Sequence, residues 1–320
     1  MKVKKIYFHR DFDGVVSAAL VLKVCTEQKP STVDLEPVDY GLPWVGQRLT
    51  QPCAVVDFLY HPDATFFWDH HSSPFPVEQW ASHYERRKKL RDSVWWDASF
   101  PSCSSLILST VPQLREDPAL VELGRWADVI DTADYSSAGQ VIRSSEAALK
   151  LNLALAAAPE EFYAAVVRLL TRLNLDEVVD QPEISARFEN AQRLQGEELQ
   201  CFESRMHSAD SVVLADLSDR VLSYSRYAPY HFDREALYSV VLYRSSVGLK
   251  LLCMRNPWIQ FESLHLGDLC RRYGGGGHER VGAIAFTPDE HDRAVSAFRG
   301  VAGILRLHAK SMRALIHESV

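Results

Sequence analysis

The stretch Val3-Lys4-Lys5-Ile6-Tyr7-Phe8-His9-Arg10-Asp11-Phe12-Asp13-Gly14 runs from an apolar segment straight into a cluster of titratable side chains. Val3 to Phe8 reads as a buried parallel strand, and Val15 to Cys25 as the helix that follows it. Open α/β sheets bind ligands at the carboxyl ends of their strands, so titratable groups at this point favour that fold class. In extended backbone alternate side chains share a face, which predicts that His9, Asp11 and Asp13 converge at the strand tip.

Two further apolar runs end in the same way. Ala54 to Val56 leads to Asp57, and Thr65 to Trp68 leads to Asp69-His70-His71. A carboxylate buried at Asp57 is costly without a partner. His70 and His71 are adjacent and cannot both address one metal from a regular strand, so separate roles are expected of them. Any one of these residues reads as a surface group or a hydrogen-bonded core group; three strand ends carrying such clusters read together as one metal site. Oxygen donors mixed with imidazole suit Mn²⁺ or Mg²⁺ better than a thiolate-preferring metal.

Outward from these motifs, Val33–Val38 and Val94–Trp96 add strands, and a helical second half follows in Ser104–Thr110, Pro118–Ala133, Ser144–Ala156 and Pro159–Leu173. The segment from Pro182 to about His207 reads as a charged helix bridging two domains, with Ile184, Phe188 and Ala191 on one face. Ser211–Leu214, Leu237–Tyr243 and Leu249–Met254, then a helix near Leu264–Tyr273 and a glycine run, describe a second, smaller α/β domain. The expected boundaries are 1–182 for the first domain, 183–208 for the linker and 209–320 for the second.

A chain of 320 residues exceeds one typical core, which fits two domains. With 35 basic and 42 acidic side chains the net charge is −7, which argues against a long nucleic-acid footprint while remaining compatible with a small phosphorylated substrate. The six cysteines contain no pair spaced for a zinc knuckle or redox dithiol, and reduced thiols in the cytoplasm are expected. The apolar stretch after Met-Lys-Val-Lys-Lys is too short for a signal sequence, and no run of about twenty apolar residues predicts a membrane span. A homodimer is compatible with the sequence.

His9-x-Asp11-x-Asp13-Gly14, the lone Asp57 and Asp69-His70-His71 resemble the first three motifs of the DHH phosphoesterase superfamily. Gly274-Gly275-Gly276-Gly277-His278 resembles the glycine-rich signature of the DHHA1 domain that accompanies it, and Arg255 matches that domain's substrate-contacting arginine. The resemblance implies a parallel-sheet catalytic domain joined by a helix to a smaller α/β DHHA1 domain. It also implies hydrolysis of phosphoester bonds with two divalent metal ions, Mn²⁺ or Mg²⁺. His9 and Asp11 would hold one ion and Asp13 the other, with Asp57 bridging both. His70 would complete the coordination of the second ion with support from Asp69, and His71 would face the scissile phosphate. A fourth-motif ligand lies in Trp126–Asp134: Asp128, in the Ala-Asp-Val context, ranks ahead of Asp131, in the Asp-Thr context. Arg255, Gly275, Gly276, Gly277 and His278 would grip the substrate, although Glu279-Arg280-Val281 departs from the small residues usual there.

The substrate class implied is a short oligonucleotide or small nucleotide, such as 3′-phosphoadenosine 5′-phosphate. A RecJ-like single-strand exonuclease, a cyclic dinucleotide phosphodiesterase, a poly- or pyrophosphatase and a catalytically silent nucleotide-binding module are the alternatives. Outside these motifs the plainer assignments are a solvated loop for the basic run Glu85–Arg91, a helix cap for Ser102–Ser105, and packing roles for Trp95, Trp96, Tyr224, Tyr227 and Tyr230.

Overall fold

The computed structural model describes residues 1–25, 32–40, 43–90, 93–221 and 225–318, with side chains to residue 314; Arg91 and Tyr224 lie outside the described residues. The chain divides into two compact units, Met1–Tyr135 with Ser144–Ala191, and Ser136–Arg143 with Gln192–Val320. The short segment 136–143 therefore belongs with the second unit, although it interrupts the first in sequence.

The first unit contains β1 (Lys5–His9), α1 (Phe12–Val24), β2 (Asp34–Val38), β3 (Cys53–Val56), β4 (Phe66–Asp69), α2 (Glu78–Lys89) and β5 (Val94–Trp96). The five strands form one all-parallel sheet in the order β2-β1-β3-β4-β5. Both faces are covered, which is why the strands read as continuous apolar runs. Ile6, Phe8, Ala54, Val56 and Trp68 belong to one core cluster, while Tyr7, Cys53, Val55, Phe67 and Val94 belong to the cluster on the other face. Fully burying one large apolar side chain such as Phe8 contributes about 1.5–3 kcal/mol.

The first core is closed by α3 (Cys103–Thr110), α4 (Pro118–Asp131), α6 (Ala147–Leu155), α7 (Glu160–Leu170) and α8 (Leu175–Val179); α5 (Ala138–Arg143) is the piece that joins the other unit. The helix expected over Ser144–Ala156 thus begins three residues later, because Ser144 has a φ of +45°, outside helical geometry. Next comes α9 (Pro182–Glu203), whose first turns pack Ile184 and Phe188 against this core.

Of the basic run expected as a loop, residues 85–89 are instead the end of α2. Arg87 donates to the carbonyls of Ala64 and Thr65, so it is held at the amino end of β4, roughly 13 Å of strand away from Asp69.

The second unit holds β6 (Met206–Ala209), β7 (Val212–Val221), α10 (Ala228–Phe232), β8 (Tyr238–Ser245), β9 (Gly248–Arg255), α11 (Leu266–Arg271), β10 (Gly276–Gly277), β11 (Val281–Phe286) and α12 (His291–Glu318). Its sheet runs β10-β11-β9-β8-β7-β6, antiparallel except for the parallel β7–β8 pair. Ala294, Ala297, Val301, Leu305 and Ala309, at helical spacing on α12, pack with Val240, Leu251 and Cys253 of the strands. Together the units give the α/β class and the second sheet unit that the motifs imply.

Candidate metal centre

The strand order reverses between β1 and β3, and ligands in open α/β sheets bind outside the carboxyl ends of strands at such a switch point. His9 is the last residue of β1, and Asp57 immediately follows β3. Asp57 has a φ of +55°, a left-handed conformation that costs a non-glycine residue about 1–2 kcal/mol. Such local strain is typical of a residue whose side chain is needed in one direction.

Convergence of the first motif does not arise from extended backbone, as expected, but from a strand-to-helix turn. Asp11 caps α1 by accepting from the Gly14 amide at 2.8 Å, and Asp13 lies in the first turn of that helix. Gly14 is required here, since a Cβ would stand 2.2 Å from the His9 carbonyl oxygen. His9 Nδ1 then lies 2.6 Å from Asp11 Oδ2.

Asp57, 1% exposed, divides the cluster into two halves. Its Oδ2 lies 3.8 Å from His9 Nδ1, and its Oδ1 lies 3.6 Å from His70 Nε2 and 3.8 Å from His71 Nδ1. Two groups with metal-ligand spacing result, His9–Asp11–Asp57 and Asp57–His70–His71, with Asp57 common to both. Because β4 ends at Asp69, the two histidines follow the strand, and the regular-strand restriction that predicted separate directions for them does not apply.

His70 Nε2 also lies 3.7 Å from Asp13 Oδ2 and 3.4 Å from Asp131 Oδ2. Its Nδ1 donates to the Phe100 carbonyl at 3.2 Å, which leaves Nε2 with the lone pair a metal needs. Asp69 does not support His70, contrary to expectation. Its Oδ1 accepts from His71 Nδ1 at 2.7 Å and from the His71 amide at 3.3 Å, while Trp96 Nε1 donates to the His71 carbonyl at 2.8 Å.

The fourth motif is placed differently from its sequence ranking. Asp131 faces His70, whereas the Asp128 carboxylate accepts from the hydroxyls of Ser102 and Ser105, on the adjoining α3. Ser102 caps α3, as expected, and the first amides of that helix serve Asp13: Cys103 N donates at 2.7 Å and Ser104 N at 3.0 Å. Ser104 Oγ and Ser17 Oγ donate to the same carboxylate. Ser17, Ser104, Phe100 and Trp96 are thus supporting residues that the motifs alone do not reveal. Ser17 follows Asp13 by one helical turn, and that spacing was the available signal.

The electrostatics are those of a site built for cations. Burial, then the charges of Asp13, Asp11, Asp69 and Asp131, pushes the Asp57 carboxyl well above the usual range. Burial, then Asp13, lifts Asp131 to about 6. Burial also raises Asp13, against the Ser104 hydrogen bond. Burial works against the charged forms of His9 and His71, but their carboxylate partners Asp11 and Asp69 outweigh it and hold both imidazoles above their ordinary value. Among the described residues, both oxygens of Asp57 and Nε2 of His70 are buried without a hydrogen-bond partner. Buried orphan donor atoms of mixed oxygen and nitrogen type fit a divalent cation. Tyr40, 51% exposed, sets its ring 5.1 Å from that of His9 and forms part of the rim.

In the second unit, Arg255 ends β9, its guanidinium donating to the Ile259 carbonyl at 3.2 Å and lying over the Phe261 ring at 4.8 Å. The Arg255 amide donates to Arg280, so the arginine and the glycine hairpin occupy the same end of that sheet. Gly276 and Gly277 form β10 rather than a flexible loop. A Cβ at Gly277, which has a φ of +137°, would meet the Val281 carbonyl oxygen at 2.3 Å, and one at Gly275 would meet that of Ala283 at 2.2 Å. Nothing lies within 4 Å of a Cβ at Gly276, and the His278 side chain is exposed.

A parallel sheet with these carboxylates and imidazoles at its switch point, followed by a second sheet unit with a glycine hairpin, is a fold that this chain shares with several solved structures. The pGpG-specific phosphodiesterase PggH from Vibrio cholerae superposes with a TM-score of 0.70 at 17% identity, over 93% of this chain and 99% of that one. RecJ of Thermus thermophilus, solved with Mn²⁺, superposes at 0.52 and 13% identity over 93% of this chain, which spans 52% of it. A manganese-bound exonuclease RecJ gives 0.50 at 12% identity, over 93% of this chain and 89% of that one. No protein-family model and no curated protein sequence matches the chain. Among the described residues, no helix is long and apolar enough to cross a membrane.

Proposed function

We propose that this protein is a divalent-metal-dependent phosphoesterase that hydrolyses short oligonucleotides or small nucleotides with two ions held on either side of Asp57. The observation that carries this reading is the shared position of Asp57, which presents one buried, unpartnered oxygen to His9 and Asp11 and the other to His70 and His71. His9, Asp11 and Asp57 would hold one ion; Asp13, Asp57, His70 and Asp131 would hold the other. Bound divalent ions supply a water nucleophile at neutral pH and positive charge opposite the phosphoryl oxygens.

The chain's own side chains do the rest. Asp69 fixes the His71 tautomer by accepting at Nδ1, which leaves Nε2 to meet a phosphate oxygen or the leaving group. Asp69 raises the His71 imidazole above its ordinary value against burial, which favours proton donation to a developing negative charge. Ser104, Cys103 and Ser17 prevent Asp13 from turning away. Arg255 and the hairpin Gly275-Gly276-Gly277-His278 are assigned to the remainder of the substrate. The likeness over nearly full length to a protein described as pGpG-specific favours a linear dinucleotide over a processive single-strand substrate, and the net charge of −7 favours the same order.

The test is a Mn²⁺- and Mg²⁺-supplemented screen against linear dinucleotides including pGpG, 3′-phosphoadenosine 5′-phosphate, cyclic dinucleotides, single-stranded DNA and pyrophosphate. Hydrolysis of a linear dinucleotide that disappears with chelator and in Asp57→Ala is the expected result. Metal-independent turnover, or full turnover in Asp57→Ala, would remove the proposal.

A further inference from the structure

The second unit contains a cavity of ≈ 200 Å³ bordered by α5, α10 and the turn after β9. We infer that it binds a single nucleotide, the base against the indole of Trp258 and the phosphate between the guanidiniums of Arg143 and Arg234.

Among the described residues the wall contains no aspartate or glutamate, in a chain whose net charge is −7. Neither guanidinium forms an ion pair or hydrogen bond with another described residue. The acids beside Arg234 in sequence are committed elsewhere: Asp233 accepts from Ser208 Oγ at 2.6 Å and from the amides of Glu235 and Ala236, and Glu235 lies 3.6 Å from Arg313. Two cations facing one cavity without a counter-charge make a receptor for an anion, and arginine suits phosphate through its planar fork of donors.

The aromatic side of the cavity is rigid. Trp258 has its ring 5.8 Å from that of Tyr227 and 6.2 Å from that of Tyr230, and its amide donates to Asn256 Oδ1 at 2.9 Å. Tyr230, 1% exposed, is fixed by its hydroxyl, which donates to the Met254 carbonyl at 2.6 Å. Gly139 leaves space beside Arg143, where a Cβ would come within 3.2 Å of the guanidinium. His231, whose Nδ1 is buried without a partner, is held below its ordinary value by burial and then by Arg143 and Arg234, which sets both cations on the same neighbourhood. A flat indole with a polar cationic partner is the combination that grips a base and its phosphate.

Binding is to be measured by calorimetry on the full chain in excess EDTA, so that the metal centre does not contribute, with GMP, guanosine and inorganic phosphate as probes. GMP should bind saturably, and guanosine and phosphate each about tenfold or more weakly. The Arg143→Gln/Arg234→Gln variant should lose GMP binding by about tenfold or more, as should Trp258→Ala, whereas Trp258→Phe and Asp57→Ala should retain it. Should Trp258→Ala fail to fold, the arginine variant and Trp258→Phe decide the matter. Absence of saturable GMP binding, binding unchanged in the arginine variant, or phosphate bound as tightly as GMP would overturn the assignment. Loss of GMP binding in Asp57→Ala alone would do so too, by placing the nucleotide at the metal centre.

Discussion

Asp131 Oδ2 lies 3.4 Å from His70 Nε2, whereas Asp128, one helical turn earlier, spends its carboxylate on the hydroxyls of Ser102 and Ser105. The two aspartates of α4 are therefore expected to fail differently. Asp131→Asn should weaken Mn²⁺ binding by about tenfold or more with little loss of fold, as loss of a ligand does. Asp128→Asn should cost stability of about 1.5–3 kcal/mol through its charge-assisted hydrogen bonds, while changing Mn²⁺ affinity less. Metal titration and urea unfolding of both variants check this, and equal metal affinities would contradict it.

Metal-free protein should lose stability as pH rises from about 4 through 6 and beyond. In that window the unfolded carboxyls have released their protons while Asp57 and Asp131, the latter with a value of about 6, still hold theirs. The folded state thus binds more protons, and stability falls with rising pH. His9 and His71, raised in the folded state, extend the fall upward, since their contribution is lost as pH passes through their folded values. Asp11, lowered on balance by the His9 hydrogen bond against burial, acts oppositely and matters only as pH drops below the ordinary carboxylate range. Mn²⁺ should reverse the fall, by about 2.7 kcal/mol at one hundred times its Kd. Thermal unfolding against pH, with and without Mn²⁺, reads the effect; a stability that climbs from pH 4 to 7 in EDTA would be inconsistent with it.

Asp69→Asn should lower kcat by about 10–100-fold while leaving metal affinity close to the parent value. The carboxylate accepts from His71, whereas His70 donates to the Phe100 carbonyl, so on the proposed function its loss frees the imidazole assigned to substrate rather than the one assigned to the second ion. The pH profile is the sharper readout, because His71 should return toward its ordinary value and the alkaline limb it governs should move to lower pH. A drop in metal affinity equal to the drop in kcat would assign Asp69 to His70 after all.

Gly277→Ala should destabilise the second unit by more than about 2 kcal/mol, since it combines a φ of +137° with a 2.3 Å clash against Val281. Gly276→Ala, with open space around the new Cβ, should leave the unfolding midpoint nearly unchanged. Urea unfolding of the pair tests this, and a tolerant Gly277 would mean that the hairpin is looser than its hydrogen bonds imply.

Strand faces and strand tips were legible from residue order. Ile6 and Phe8 alternate with Tyr7 between two cores, and His9, Asp57 and Asp69 fall at or just after the carboxyl ends of their strands, because strand periodicity and termination are local properties of the chain. Tertiary structure decided what those tips do with one another. Whether α4 turned Asp128 or Asp131 toward His70 depended on the rotation of a helix about its own axis, which is set by packing against α1 and α3. The pairing of Asp69 with His71, the amides of α3 on Asp13, and the left-handed turn at Asp57 likewise arise from contacts between segments distant in sequence or from backbone no periodicity describes.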